Sequence, residues 1–169
     1  MSAENYRKAV EVLEAHRSQC HFSGPKSEDL ISLAERALGR KICGLYREFL
    51  KTYGVALFGG QEIYGVIDDN FMSNRVPDAI WLTLKQRRQV GLPESLLTIY
   101  GLGDGEDFCL DLSACELDGE PTVVAYTPGF TTPGQKLEVI AADFGDFLLG
   151  LVENAIAFWD SREGDDRQR

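Results

Sequence analysis

The sequence predicts an α+β fold: N-terminal helices, a central antiparallel-rich sheet of about five or six strands, and a C-terminal helix. Three observations carry that expectation. Apolar residues return every three or four positions through the first third of the chain, the mark of a single helix face. The period then shortens to that of strands, in brief runs parted by Gly and Pro turns too short for parallel crossovers. After Asp143 a last apolar stripe restores the helical period.

The elements follow in order. Ala3, Tyr6, Ala9, Val10 and Leu13 form one face of a first helix over residues 3–16. HFSGPK, with Gly24 and Pro25, reads as a turn. Ser27 is placed to cap a second helix, with Glu28 and Asp29 in the first turn where the helix dipole favours negative charge, and Gly39 closes it. LYREFLKTY makes a third helix, stopped by Gly54. Gly59-Gly60 then divides two β-prone runs as a hairpin. AIWLTL is a candidate strand leading to a short helix at KQRRQ, and LLTIYGL and FCLDLS are strands joined by the GDG turn. TVVAYT and LEVIA are strands on either side of the Pro/Gly-rich loop TPGFTTPGQ, and Asp143 caps the closing helix.

A chain of 169 residues, 44% hydrophobic and 26% charged, fits one domain. That domain is expected over residues 1–160, with residues 161–169 as a polar, disordered tail poor in apolar side chains. Charges interrupt the N-terminal stretch every few residues, unlike a signal peptide, and no apolar run approaches the length of a membrane span. The expectation is a cytoplasmic protein with reduced thiols at Cys20, Cys43, Cys109 and Cys115, of which Cys43 and Cys109 read as small core residues.

The net charge of −10 is unevenly spread. Residues 1–88 are nearly balanced, whereas residues 89–135 carry eight acids and no Lys or Arg. Such a stretch repels nucleic acid and anionic membrane and attracts a basic partner. A merely solubilising surface would interleave both signs.

Catalytic patterns are absent from the sequence. The histidines are His16 and His21, no GxSxG elbow exists, and Cys20-His21 are neighbours in sequence without implied geometry. Zinc-type Cys/His spacing is missing, and Asp104, Glu106, Asp107 and Asp111 do not follow the EF-hand pattern. The glycines of GLGDGE have neither dinucleotide nor P-loop spacing. No cofactor, metal or enzyme activity is therefore expected.

Four stretches, AERALGRKICGLYREFLKTYGV, FGGQEIYGV, LLTIYGLGDGEDFCLDLS, and PTVVAYTPG with IAADFGDFLLGLV, together resemble the SUKH superfamily over roughly residues 28–152. That superfamily groups bacterial toxin-immunity proteins with a fungal regulator of cell-wall synthesis. Ile42-Cys43 stands where the family usually has Leu-Pro, so a helix-start signal is missing. The resemblance implies an α+β protein-binding module that neutralises a cognate toxin, often a nuclease. The alternative is a regulatory or scaffold module in a cell-envelope or signalling pathway.

The expected partner is a basic toxin domain, with no nucleic acid or membrane, bound by a monomer or weak homodimer. Candidate partner-binding acids are Asp104, Glu106, Asp107 and Asp111, with Asp68 and Asp69 as outliers. Asp111 can alternatively serve a nearby turn. Tyr64 and Trp81 are candidate aromatic anchors, and core packing is the competing role for Trp81.

Overall fold

The computed structural model describes residues 2–132 and 134–167. Met1, Pro133 of the Pro/Gly-rich loop, and Gln168 and Arg169 of the expected tail lie outside the described residues. The helices are α1 (Ser2–Ala15), α2 (Glu28–Leu38), α3 (Gly44–Thr52), α4 (Ala79–Val90) and α5 (Phe144–Asp166). The strands are β1 (Cys20–Phe22), β2 (Ala56–Phe58), β3 (Gln61–Ile63), β4 (Leu96–Gly101), β5 (Asp107–Asp111), β6 (Val123–Tyr126) and β7 (Val139–Ala141).

All strand pairs are antiparallel, in the expected α+β architecture, but they form two sheets: β1-β2-β3 and β4-β5-β6-β7. The sheets meet where the Tyr64 N–H donates to the Ile99 carbonyl at 2.8 Å, so the strands lie side by side in chain order. β1 overlaps the start of the HFSGPK stretch expected to be a turn, at His21 and Phe22. Three residues are too few to show alternation, and pairing with β2 is what makes them a strand.

The AIWLTL segment corrects the sequence reading: it is the first half of α4, not a strand. The Asp78 carboxylate accepts from the Ile80 and Trp81 backbone N–H groups at 2.9 and 3.0 Å and starts the helix. Gly91 ends it in the left-handed conformation. The second helix is as expected, with Ser27 accepting from Leu30 N–H and Gly39 left-handed. Asp143 caps α5 through Asp146 N–H, and α5 continues to Asp166, through most of the expected tail.

The main core lies between the helices and the sheets. α5 packs along α1, and Phe144 sits among Tyr6, Tyr46, Phe49 and Phe147. Leu97, Ile99 and Leu110 project into this core, whereas Leu96, Cys109, Val124 and Tyr126 form a second cluster. Alternation along β4 and β5 thus feeds two apolar faces. α4 packs on β4, where Thr83 Oγ1 accepts from the Thr98 backbone N–H at 3.0 Å.

The cysteines depart from the expected reduced state. Cys43 and Cys115 form a disulfide with Cα atoms 5.7 Å apart, across 72 residues of sequence. Cys20 and Cys109 are free, and Cys109 is buried as expected of a small core residue. Cys43 precedes α3 without capping it through its side chain. Glu120 does that work: its carboxylate accepts from the Leu45 N–H at 3.0 Å. The carboxylate lies against Gly44, whose φ is +67°, so both the backbone conformation and the close approach require glycine there.

Candidate partner-binding surface

β5 separates the acidic stretch into two groups. Asp107 and Asp111 stand at its opposite ends, about 13 Å apart at strand spacing. At the hairpin end, Asp104 is exposed and its carboxylate accepts from the Glu106 N–H at 3.0 Å, which shapes the turn. Glu106 is partly exposed and accepts from Thr127 Oγ1 at 3.5 Å, a long contact. Asp107 turns inward and accepts from Gln86 Nε2 at 2.6 Å, and burial pushes its carboxyl up.

Acids at the other end hold the fold. Asp111 accepts from Ser113 N–H at 3.1 Å and Ser113 Oγ at 2.6 Å, taking the turn-serving role. Glu116 pairs with Arg40 at 2.6 Å. The stretch that has no cation of its own thus receives one from the helical part of the chain. Among the described residues, no Lys or Arg lies in salt-bridge range of Asp68, Asp69, Asp104 or Glu106.

Tyr64 is half-buried, with its hydroxyl against Gly101 beside the Asp107 carboxylate, so both groups converge where β4 leaves the sheet. Burial, then the charges of Glu62 and Asp107, push that hydroxyl up. Beside it Tyr100 donates to Gln61 Oε1 and stacks on Phe108. Tyr64 therefore joins Asp104, Glu106 and Asp107 in one region. Trp81 is partly buried on α4 and carries Lys85 Nζ 4.9 Å from its ring centroid, which occupies one ring face.

Asp68 and Asp69 stand on the β3–α4 connection as a separate hydrogen-bonded set. Asn74 Nδ2 donates to Asp68 at 3.1 Å and to Asp78 at 2.9 Å. Asp78 is fully buried, and burial pushes its carboxyl up to about 6 against the pull of the Trp81 and Ile80 N–H groups. A raised folded-state value makes this group's contribution to stability complete below about pH 4 and lost as pH rises through about 6. The stability difference between wild type and Asp78→Asn is therefore expected to shift against the wild type from about pH 4 to 6 and to level off above. Urea midpoints at stepped pH measure it, and a difference flat across that range contradicts the assignment.

The free thiols are poorly suited to nucleophilic work. Cys20 donates to the His16 carbonyl at 3.3 Å and burial raises its pKa, while burial pushes Cys109 up to about 12. Among the described residues, no three of His, Cys, Asp and Glu converge to hold a metal ion, and no helix is long and apolar enough to cross a membrane.

Sequence reasoning overlooked the cations Arg36, Arg40 and Lys41, which line an open cleft of about 880 Å³ facing Cys115, Glu116 and Asp118. Their proximity in sequence was the available signal; the facing wall arrives from more than seventy residues away, as the 76-residue separation of Arg40 and Glu116 records.

No curated protein matches the chain. A family model does: SUKH_5, SMI1-KNR4 cell-wall, over residues 6–153. That match takes in every element from α1 to the first half of α5, including both groups of acids, and the chain belongs to the SUKH superfamily.

Proposed function

We propose that this protein is a non-catalytic binding module that neutralises a basic toxin domain in the cytoplasm, a nuclease being the best-matched kind. The carrying observation is the hairpin end of β4 and β5, where Asp104 and Glu106 stand without a cation in range. Asp68 and Asp69 add to the negative field, and Tyr64 supplies an aromatic edge beside it. A nuclease surface that attracts phosphates is attracted by the same field, which speeds encounter and blocks the substrate's approach. Asp107 serves mainly to hold this region in shape, and Asp111, at the far end of β5, serves the turn at Ser113.

Reversing Asp104 and Glu106 together to Lys is expected to weaken affinity for the cognate toxin domain about tenfold or more and to flatten its salt dependence. Titration at two salt concentrations reads both. Unchanged affinity and slope would exclude the hairpin as the binding surface. A regulatory or scaffold role is the second reading, favoured by the cell-wall description of the matched family. A toxin-bearing gene next to this one favours the first reading, and a cell-envelope gene cluster favours the second.

A further inference from the structure

We propose that the turn Thr127-Pro128-Gly129-Phe130 adds an aromatic anchor to the acidic hairpin, and that the ring of Phe130 receives an arginine side chain of a basic protein partner. This rests on the reading of the hairpin as a surface for a basic partner, and it specifies what that partner presents.

The sequence sets the turn. Pro128 stands in its second position and Gly129, with φ +82°, in its third, and the Phe130 N–H donates to the Thr127 carbonyl at 3.1 Å. That is the pattern of a type II turn, in which Pro fixes one φ and glycine most readily takes the next. The Thr131 N–H also donates to the Thr127 carbonyl, at 2.8 Å, and the Thr127 N–H donates to Thr131 Oγ1 at 3.0 Å. These bonds place Phe130 without help from its ring.

The ring is left over from folding. Phe130 is 82% exposed and, among the described residues, no other aromatic ring packs on it and no Lys or Arg lies over it. Trp81 differs, since Lys85 already covers one of its faces. A free aromatic face attracts a cation, and a planar, weakly hydrated guanidinium stacks on it better than an ammonium.

Charge decides the occupant. Phe130 lines a cleft of about 230 Å³ together with Glu106, Thr127, Lys136 and Glu138. The Thr127 hydroxyl, donating to Glu106, links the turn to the hairpin. Among the described residues, Asp104, Glu106, Glu138 and Lys136 form no salt bridge. An incoming cation therefore meets three free acids and one opposing lysine, and an incoming phosphate or carboxylate meets the reverse. A guanidinium at the ring has the Glu106 carboxylate in the same cleft to pair with.

The test compares two fluorescein-labelled dodecapeptides of equal charge, repeating Arg-Gly-Gly and repeating Lys-Gly-Gly, by fluorescence anisotropy on the full chain at low salt. The Arg peptide is expected to bind wild type about two- to fivefold more tightly than the Lys peptide. Phe130→Leu, which keeps an apolar side chain and removes the aromatic face, is expected to abolish that preference. Circular dichroism checks that the variants are folded. No saturable binding of the Arg peptide, no preference for it in wild type, or a preference that survives Phe130→Leu would each overturn the proposal. The Asp104→Lys, Glu106→Lys protein reads the hairpin separately: it is expected to bind both peptides more weakly, whatever Phe130 does. If it binds both as wild type does, the acidic-hairpin reading fails and this inference fails with it.

Discussion

Loss of the Cys43–Cys115 disulfide, by reduction or by replacing both cysteines with serine, is expected to cost about 4 kcal/mol of folding stability. The figure follows from the 72-residue separation of the two cysteines, because the cross-link removes the freedom of a long loop from the unfolded chain. A domain of this size has only about 5–15 kcal/mol in total, so the midpoint of thermal unfolding should fall by roughly 10 °C. The folded state should survive, because Arg40–Glu116 and the Glu120 cap still join the 3-10 segment to the helical layer. Denaturant midpoints with and without a dithiol reductant measure the loss. The Cys43→Ser, Cys115→Ser protein should match the reduced wild type and ignore the reductant. If reductant leaves the wild type unchanged, the bond does not form in solution. In a cytoplasmic setting, where thiols are kept reduced, the reduced form would be the working one and the smaller stability the relevant one.

What could be read in the sequence depended on how local each signal was. Ser27, Gly39 and Asp143 mark helix ends through neighbours within four residues, and Gly59-Gly60 and the GDG turn mark hairpins in the same way. AIWLTL failed because a short apolar run has no period of its own; Asp78, one residue before it, decided for helix. The acids show the same limit. Asp104 stayed free, but Glu116 and Glu120 are committed to Arg40 and Leu45, 76 and 75 residues away. The count of eight acids therefore overstated the charge left for a partner. The disulfide and the cleft between Arg40 and Glu116 are also products of folding, since neither Cys115 nor Glu116 lies near its counterpart along the chain.

Phe144→Ala is expected to destabilise the protein by about 3–5 kcal/mol, comparable to the loss of the disulfide. Phe144 is fully buried at the first turn of α5, directly after the Asp143 cap. Its ring lies 5.2 Å from Tyr46 edge-on and 5.3 Å from Phe49, with Tyr6 and Phe147 at 6.3 and 6.4 Å. One side chain thus ties α1, α3 and α5 together, and truncation opens a cavity where the three helices meet. Tyr46 cannot readily move to fill it, because its hydroxyl donates to the Tyr64 carbonyl at 2.8 Å. That bond anchors the chain where the two sheets join, next to the Tyr64–Gly101–Asp107 junction. Phe144→Leu should cost less, and Phe130→Ala, at a ring 82% exposed, should stay within about 0.5 kcal/mol. Chemical denaturation of the three variants gives the order directly; a loss at Phe144→Ala no larger than at Phe130→Ala would mean that the aromatic cluster is not the keystone of the helical layer. Because the acidic hairpin is held partly from beneath by Phe147, whose ring meets Tyr100 and Phe108 edge-on at 5.7 and 6.0 Å, damage at neighbouring Phe144 should also loosen the hairpin. Faster amide exchange along β4 and β5 in Phe144→Ala than in Phe130→Ala would report that coupling.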